Sequence, residues 1–168
     1  MIDDLAPARL GALFEGAPRF LARLAGLAPG AGPTKARGPL DFFAQARRIA
    51  HAMPEDEQVE LIGAHPRLGA PPGTLSASSY LEQGYDRATG TPRSRDVAAE
   101  LERLNADYEA RFGFRYCVFV AGRSRAALLP GMLAALEADR AAELDRALDA
   151  VIDIAINRHA KLSAEANP

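Results

Sequence analysis

The groups in this chain best equipped for proton chemistry lie between Gly63 and Gly84. The run begins Gly-Ala-His65-Pro66-Arg-Leu-Gly, crosses a Pro/Gly/Ser-rich connection and reaches Ser79-Tyr80-Leu81-Glu82-Gln83. It collects an imidazole, a carboxylate, a primary amide and several hydroxyls. Pro66 disfavours the α region for the residue before it, so His65 is predicted to be extended. A histidine restrained in this way is expected to titrate near neutral pH and to give or take a proton. Each group also has a structural reading. His-Pro after a helix is a common stop signal. Ser79-x-x-Glu82 matches a capping box, in which the serine caps a helix and the glutamate bonds back.

The neighbouring elements would hold this stretch in place. Pro54-Glu-Asp-Glu-Gln-Val-Glu-Leu-Ile reads as a short helix, with proline in its first turn, acids at its positive end and Gly63 as its stop. Residues 7–27 carry two helical pieces around Gly16-Ala17-Pro18, with Leu10, Leu13, Phe14, Phe20, Leu21 and Leu24 at helical spacing. Pro29 to Pro39 reads as a Gly/Pro-rich loop. Asp41 to Met53 reads as a helix with Phe42, Ala46 and Ile49 on one face and His51, a surface or capping residue, at its end. Thr91-Pro92-Arg93-Ser94 signals another helix, with Ser94 as cap and Asp96 in the first turn. Its stripe is Val97, Leu101, Leu104 and Tyr108, and Gly113 ends it.

Phe114 to Val120 is aromatic and β-branched, which favours an extended chain too short and solitary for a sheet. Such a segment leaves main-chain groups outside helix bonding, where a polar ligand could use them. Gly122-Arg123-Ser124 precedes a helix running to about Ala138, bent or broken at Pro130. The last helix spans roughly Arg140 to Leu162, with Leu144, Leu148, Val151, Ile152, Ala155 and Leu162 as its buried stripe. Arg158 shares that apolar side. It either snorkels to water or points into a polar pocket and meets an oxygen there. His159, one position around, is expected to be peripheral.

The chain has 168 residues, 48% hydrophobic and 25% charged, which fits one soluble domain with a sizeable core. Its 20 basic and 22 acidic residues leave a net charge of −2, with no electrostatic reason to expect nucleic acid as a partner. The single cysteine, Cys117, excludes an internal disulfide and a multi-cysteine metal site. Three scattered histidines make no convincing metal site. No apolar run is long enough to span a bilayer, and the start Met-Ile-Asp-Asp lacks the basic residues of a secretion signal. The expectation is a soluble protein of a reducing, cytoplasmic compartment. The fold expected is all-α, a single-domain multi-helix bundle over residues 1–168 with one short extended segment near 114–120.

Several short motifs, in order along most of the chain, together resemble one family, the OHCU (2-oxo-4-hydroxy-4-carboxy-5-ureidoimidazoline) decarboxylases. They are Leu13-Phe14-Glu15, His65-Pro66, Ser79-x-x-Glu82-Gln83, Leu104-Asn105-x-x-Tyr108-x-x-Arg111-Phe112-Gly113-Phe114, Gly122-Arg123-Ser124 and Ile154-Ala155-x-x-Arg158. The resemblance implies an all-α homodimer without metal or organic cofactor. It implies the last step of urate breakdown, in which OHCU loses CO2 and becomes (S)-allantoin. By position, His65 would be the proton donor and Glu82 its catalytic partner. Pro66, Ser79, Tyr80, Leu81, Gln83 and Arg158 would line the substrate site, joined by the backbone of Tyr116, Cys117, Val118, Phe119 and Val120. The chain departs from the family pattern at Arg67, at Arg115-Tyr116 and at Gly84-Tyr85. Three other readings stand beside this one: a paralogue acting on a related imidazolone, a catalytically silent helical module that binds a partner through its last helix, and a metal-dependent hydrolase, which a chelator would separate.

Overall fold

Eight α-helices carry the chain in the computed structural model, which describes residues 7–27, 36–87 and 92–165. No strand occurs among those residues, as an all-α fold requires. The helices are α1 (Pro7–Leu13), α2 (Pro18–Leu24), α3 (Pro39–Ala52), α4 (Glu55–Ala64), α5 (Ala77–Glu82), α6 (Pro92–Phe112), α7 (Arg125–Ala135) and α8 (Arg140–Glu165). Most of the loop predicted between Pro29 and Pro39 lies outside the described residues. The chain divides into two compact units, Met1–His65 with Leu148–Pro168, and Pro66–Ala147.

The first unit holds α1 to α4 and most of α8. Leu10, Leu13, Phe14, Phe20, Leu24, Phe42, Ala46, Leu61, Ile62, Leu148, Val151, Ile152 and Ala155 are buried in it, as their helical spacing predicts. Phe14 meets Phe20 edge to face with centroids 5.0 Å apart. Arg19 and Arg23 reach from α2 to Asp56, Glu57 and Glu60 of α4. Arg47 of α3 spans Asp149 and Asp153 of α8, and His51 Nε2 lies 2.9 Å from Asp149 Oδ1. The buried Gln58 donates to the carbonyls of Ala50 and His51, closing the C-terminal end of α3. His159 is buried, not peripheral, with its ring edge-on to Phe43 at 5.6 Å. Leu162, expected in the buried stripe, is 38% exposed.

The second unit holds α5 to α7 and the first turns of α8. Its aromatic centre is Tyr108, in contact with Phe112, Phe114 and Tyr116. Gly113, at φ +78°, ends α6 as predicted. The other end of α6 differs from expectation. The helix already begins at Pro92, so Ser94 is its third residue and not its cap. Proline at N1 needs no N–H, which lets the helix start three residues earlier than a Ser94 cap would. α7 runs through Pro130 without a break and ends at Ala135, with Ser124 as its N-cap accepting from the Ala127 N–H. Phe114 to Val120 is neither helix nor strand, as expected.

Candidate active site

His65 is the last residue of the first unit. α4 runs past the expected stop at Gly63 to Ala64, with Pro54 as its N-cap and His65 as its C-cap. His65 has φ −78° and ψ 140°, the extended conformation that Pro66 demands. Its surroundings overturn the expectation of a neutral-range pKa. Burial to 4% exposure pushes the imidazole down to about 4, helped by the Arg158 guanidinium and opposed by the Glu15 carboxylate. The free protein therefore holds His65 neutral at pH 7.

Arg158 is 4% exposed and committed inside the protein. Its Nη2 donates to Glu15 Oε1 at 2.8 Å, and its Nη1 donates to the carbonyls of Ala12 and Leu13 at 3.1 and 3.4 Å. Those are C-terminal carbonyls of α1, where the helix dipole favours a cation. Neither sequence reading of Arg158 is complete. The guanidinium does not snorkel, and much of its hydrogen-bonding capacity goes to a carboxylate and two carbonyls of the protein.

Glu15 is the partner that sequence reasoning left without a role. It occupies the left-handed position after α1, φ 53°, with Gly16 at φ +82° donating back to the Gly11 carbonyl. Glycine is favoured at such a position. A glutamate here costs about 1 kcal/mol or more of backbone strain, and it sets its carboxylate against Arg158. The only local signal was an acid directly before a glycine at the end of an apolar run.

Pro66 opens the second unit, and the loop behind it is tied down group by group. Gln83 accepts from the Gly69 N–H at 2.7 Å and donates to the Arg67 carbonyl at 3.0 Å. Asn105 Nδ2 donates to the Leu68 carbonyl at 2.9 Å. The Tyr85 hydroxyl donates to the Ala70 carbonyl at 2.6 Å, and Arg67 pairs with Glu109. Gly69 sits at φ +83°, and a Cβ there would lie 3.1 Å from Leu101 Cδ1, so the close approach to α6 needs glycine. Gln83, predicted to bind substrate, thus positions this loop. Asn105 Oδ1 is buried with no hydrogen-bond partner among the described residues.

Ser79 is not the cap of α5. Ser76 is, accepting from the Ser79 N–H at 3.1 Å, because Ser76 is extended while Ser79 is already helical. Ser79 is buried inside the helix, and Glu82 is its last residue. The capping-box explanation of this serine and glutamate is thereby removed. Tyr80 stacks on Tyr85 at 5.6 Å, and Leu81 is 55% exposed.

The extended run is held through its carbonyls. Arg146 Nη1 donates to the Cys117 carbonyl at 2.9 Å, and Arg123 donates to those of Phe119 and Val120. The segment lies outside helix bonding as expected, but three of its carbonyls are already taken by arginine side chains. Among the described residues the Val118, Phe119 and Val120 N–H groups have no acceptor. Arg146 is itself fixed by the buried Glu143, which also accepts from the Tyr108 hydroxyl at 2.7 Å. Tyr116 lies under the Arg146 guanidinium at 4.7 Å, and burial raises its phenol pKa. Among the described residues no group of three or more His, Cys, Asp or Glu is placed to hold a metal ion.

The sequence profile of the OHCU decarboxylases matches residues 1–160. The chain belongs to the OHCU decarboxylase family. It is 31% identical over 156 residues to the uric acid degradation bifunctional protein PucL of Bacillus subtilis, covering 93% of this chain and 30% of that one. It therefore spans about a third of the length of that relative. A crystal structure of OHCU decarboxylase in the presence of (S)-allantoin superposes with a TM-score of 0.68 at 22% identity, covering 90% of this chain and 94% of the other. A crystal structure of (S)-allantoin synthase gives a TM-score of 0.62 at 18% identity, over 96% of this chain and 53% of that one. Both show that the fold is shared. In OHCU-family terms, Glu15, Arg123 and Asn105 lie within motifs that carried the resemblance, yet neither spacing nor residue type disclosed what they hold.

Proposed function

We propose that this chain, as a single domain, decarboxylates OHCU to (S)-allantoin without a metal or organic cofactor. The observation that carries the reading is the family match over residues 1–160, which includes both units and every candidate residue. The chemistry is consistent with it. Loss of CO2 leaves an electron pair on a ring carbon next to a C=N bond, a sink within the substrate itself. What remains for the protein is to hold the ring, favour the delocalised charge and deliver a proton to one face.

His65 is the proposed proton donor and Glu82 its partner. A neutral imidazole is a poor acid, so the substrate must help. Its carboxylate brings a negative charge that favours the imidazolium, and the ring takes up a proton as the substrate binds. Pro66, Ser79, Tyr80 and Leu81 are proposed to line the substrate, and Gln83 to fix the loop that carries Pro66. The unspent amides of residues 118–120 suit the carbonyl and ureido oxygens. Arg158 is proposed to act with Glu15 as a neutralised pair bearing on His65. A carboxylate-bound guanidinium grips the leaving carboxylate less, which avoids stabilising the ground state. A homodimer in the cytoplasm completes the proposal. The test is chemical: generate OHCU from urate in place, add the protein, and follow optical rotation. Rapid formation of dextrorotatory allantoin supports the reading, and rotation no faster than in the protein-free control refutes it.

A further inference from the structure

We propose that Arg123 and Arg146 are positioning residues that turn and polarise the 117–120 backbone, making the Val118 and Val120 amides a paired donor site for the oxygens of a cyclic ureide. The inference deepens the proposed function and rests on it for the identity of the ligand.

The argument begins with the peptide group. No peptide bond among the described residues is cis, and a trans peptide points its N–H opposite its C=O. The Cys117 carbonyl is held by Arg146, so the Val118 N–H points away from that guanidinium. The Phe119 carbonyl is held by Arg123, so the Val120 N–H points away from that one. Arg123 also takes the Val120 carbonyl through Nε at 3.0 Å, and its own N–H bonds the same oxygen at 3.0 Å. The turn through Ala121 and Gly122, at φ 51° and 73°, brings the arginine back over the carbonyls it grips. Arg123 is exposed, and none of the described contacts of its guanidinium is with a carboxylate. Its charge is therefore directed at the backbone. Arg146 is anchored differently, by Glu143 at 2.9 Å, with Tyr108 closing the network.

A cation on a carbonyl oxygen draws charge through the peptide and makes the N–H on its far side a better donor. Two such peptides supply two strengthened N–H groups with no acceptor of their own among the described residues. That donor set suits neutral or anionic ureide oxygens and does not suit a cation.

Arg123 is the residue to test, because removing Arg146 would strand the buried Glu143. Arg123→Ala and Arg123→Lys are compared with the unaltered chain for turnover of OHCU made from urate. In parallel, 15N-labelled protein is titrated with (S)-allantoin and hydantoin while the Val118 and Val120 amide signals are followed. Loss of a whole oxyanion donor costs roughly a hundredfold or more, and weakening one should cost less. We expect about a tenfold fall in kcat/KM for the alanine variant and a smaller fall for lysine, which serves one carbonyl at a time. We also expect the ligand-induced shift of the Val120 amide to be lost while that of Val118, whose peptide Arg146 holds, remains, and methylguanidine to restore both turnover and the Val120 shift. Shifts and turnover equal to the unaltered chain in a folded variant overturn the inference. So does a loss that methylguanidine leaves untouched, since that marks a loop rearrangement. Should the alanine variant not fold, the lysine variant decides by the same readings. If the unaltered chain is inactive on OHCU, the proposed function falls. The amide titration still decides this inference: a Val120 shift in the unaltered chain that Arg123→Ala abolishes sustains it, and its absence or persistence overturns it.

Discussion

His65 shows how far a single residue can depart from its sequence reading. Pro66 fixes its backbone in any context, so its extended conformation is legible from two letters. Its pKa is set by burial and by Arg158 and Glu15, which are far away in the sequence, and no local pattern discloses them. The depressed pKa has a stability consequence with a definite sign. Unfolded, the ring binds a proton below about 6.5, whereas folded it does so only below about 4. Between those values the unfolded state holds more protons, so stability is full above pH 6.5 and falls by about 3 kcal/mol as pH drops to 4. His65→Asn should remove that part of the acid limb in urea melts taken from pH 4 to 7. The same variant should lose about a hundred- to ten-thousand-fold in turnover. An unchanged acid limb would mean that the ring is not held neutral. Retained turnover would take His65 out of the mechanism.

Arg158 and Glu15 belong to the same scale. An arginine on an apolar helix face could be seen in the sequence, but its carboxylate partner could not, because Glu15 is 143 residues away. The pairing changes what Arg158→Lys should do. An ammonium cannot serve Glu15 and the two α1 carbonyls in the guanidinium's geometry. We expect a loss of roughly 2 kcal/mol in stability together with a large fall in turnover. Glu15→Gln should cost more, about 3 kcal/mol, because it leaves a buried guanidinium without its counter-charge. Thermal melts and turnover on the same samples check both. A lysine variant as stable as the parent would show that the buried pair contributes little.

At the scale of the element, the helices were legible because apolar spacing and proline or glycine punctuation act locally. Their ends were less so. The sequence offers three serines in a row of candidates, Ser76, Ser78 and Ser79, and only the backbone turn decides which one caps α5. With Ser76 as the cap, the roles separate cleanly. Ser76→Ala should cost about 1 kcal/mol in stability and leave catalysis nearly intact if the rest of α5 stays ordered. Glu82→Gln should do the opposite, losing turnover while the melting temperature holds. A Glu82→Gln variant that melts early yet turns over normally would return Glu82 to a structural role. The carbonyl clamps of Arg123 and Arg146 were invisible at this scale, since β-propensity says that a segment is extended and not which side of its peptides is already spent.

At the scale of the whole molecule, the chain matches its curated relative along nearly its full length while spanning only 30% of that protein, which is described as bifunctional. The all-α fold serves a site that has one task on the proposed reading: removing a carboxyl group and setting one stereocentre. The proposed chemistry of His65, Glu82 and the 118–120 amides begins at OHCU and assigns no step to urate itself. The chain supplied with urate alone should therefore leave urate absorbance unchanged over hours. Supplied with urate that a separate oxidase and hydrolase are converting to OHCU, it should yield dextrorotatory allantoin at a rate proportional to the amount of chain added. A chelator should leave that rate unaltered, because the electron sink is the substrate's own C=N bond. Consumption of urate by the chain alone would assign it a second activity. Loss of rotation on chelation, with the oxidase and hydrolase shown to be unaffected, would place a metal in a step that the proposal gives to His65.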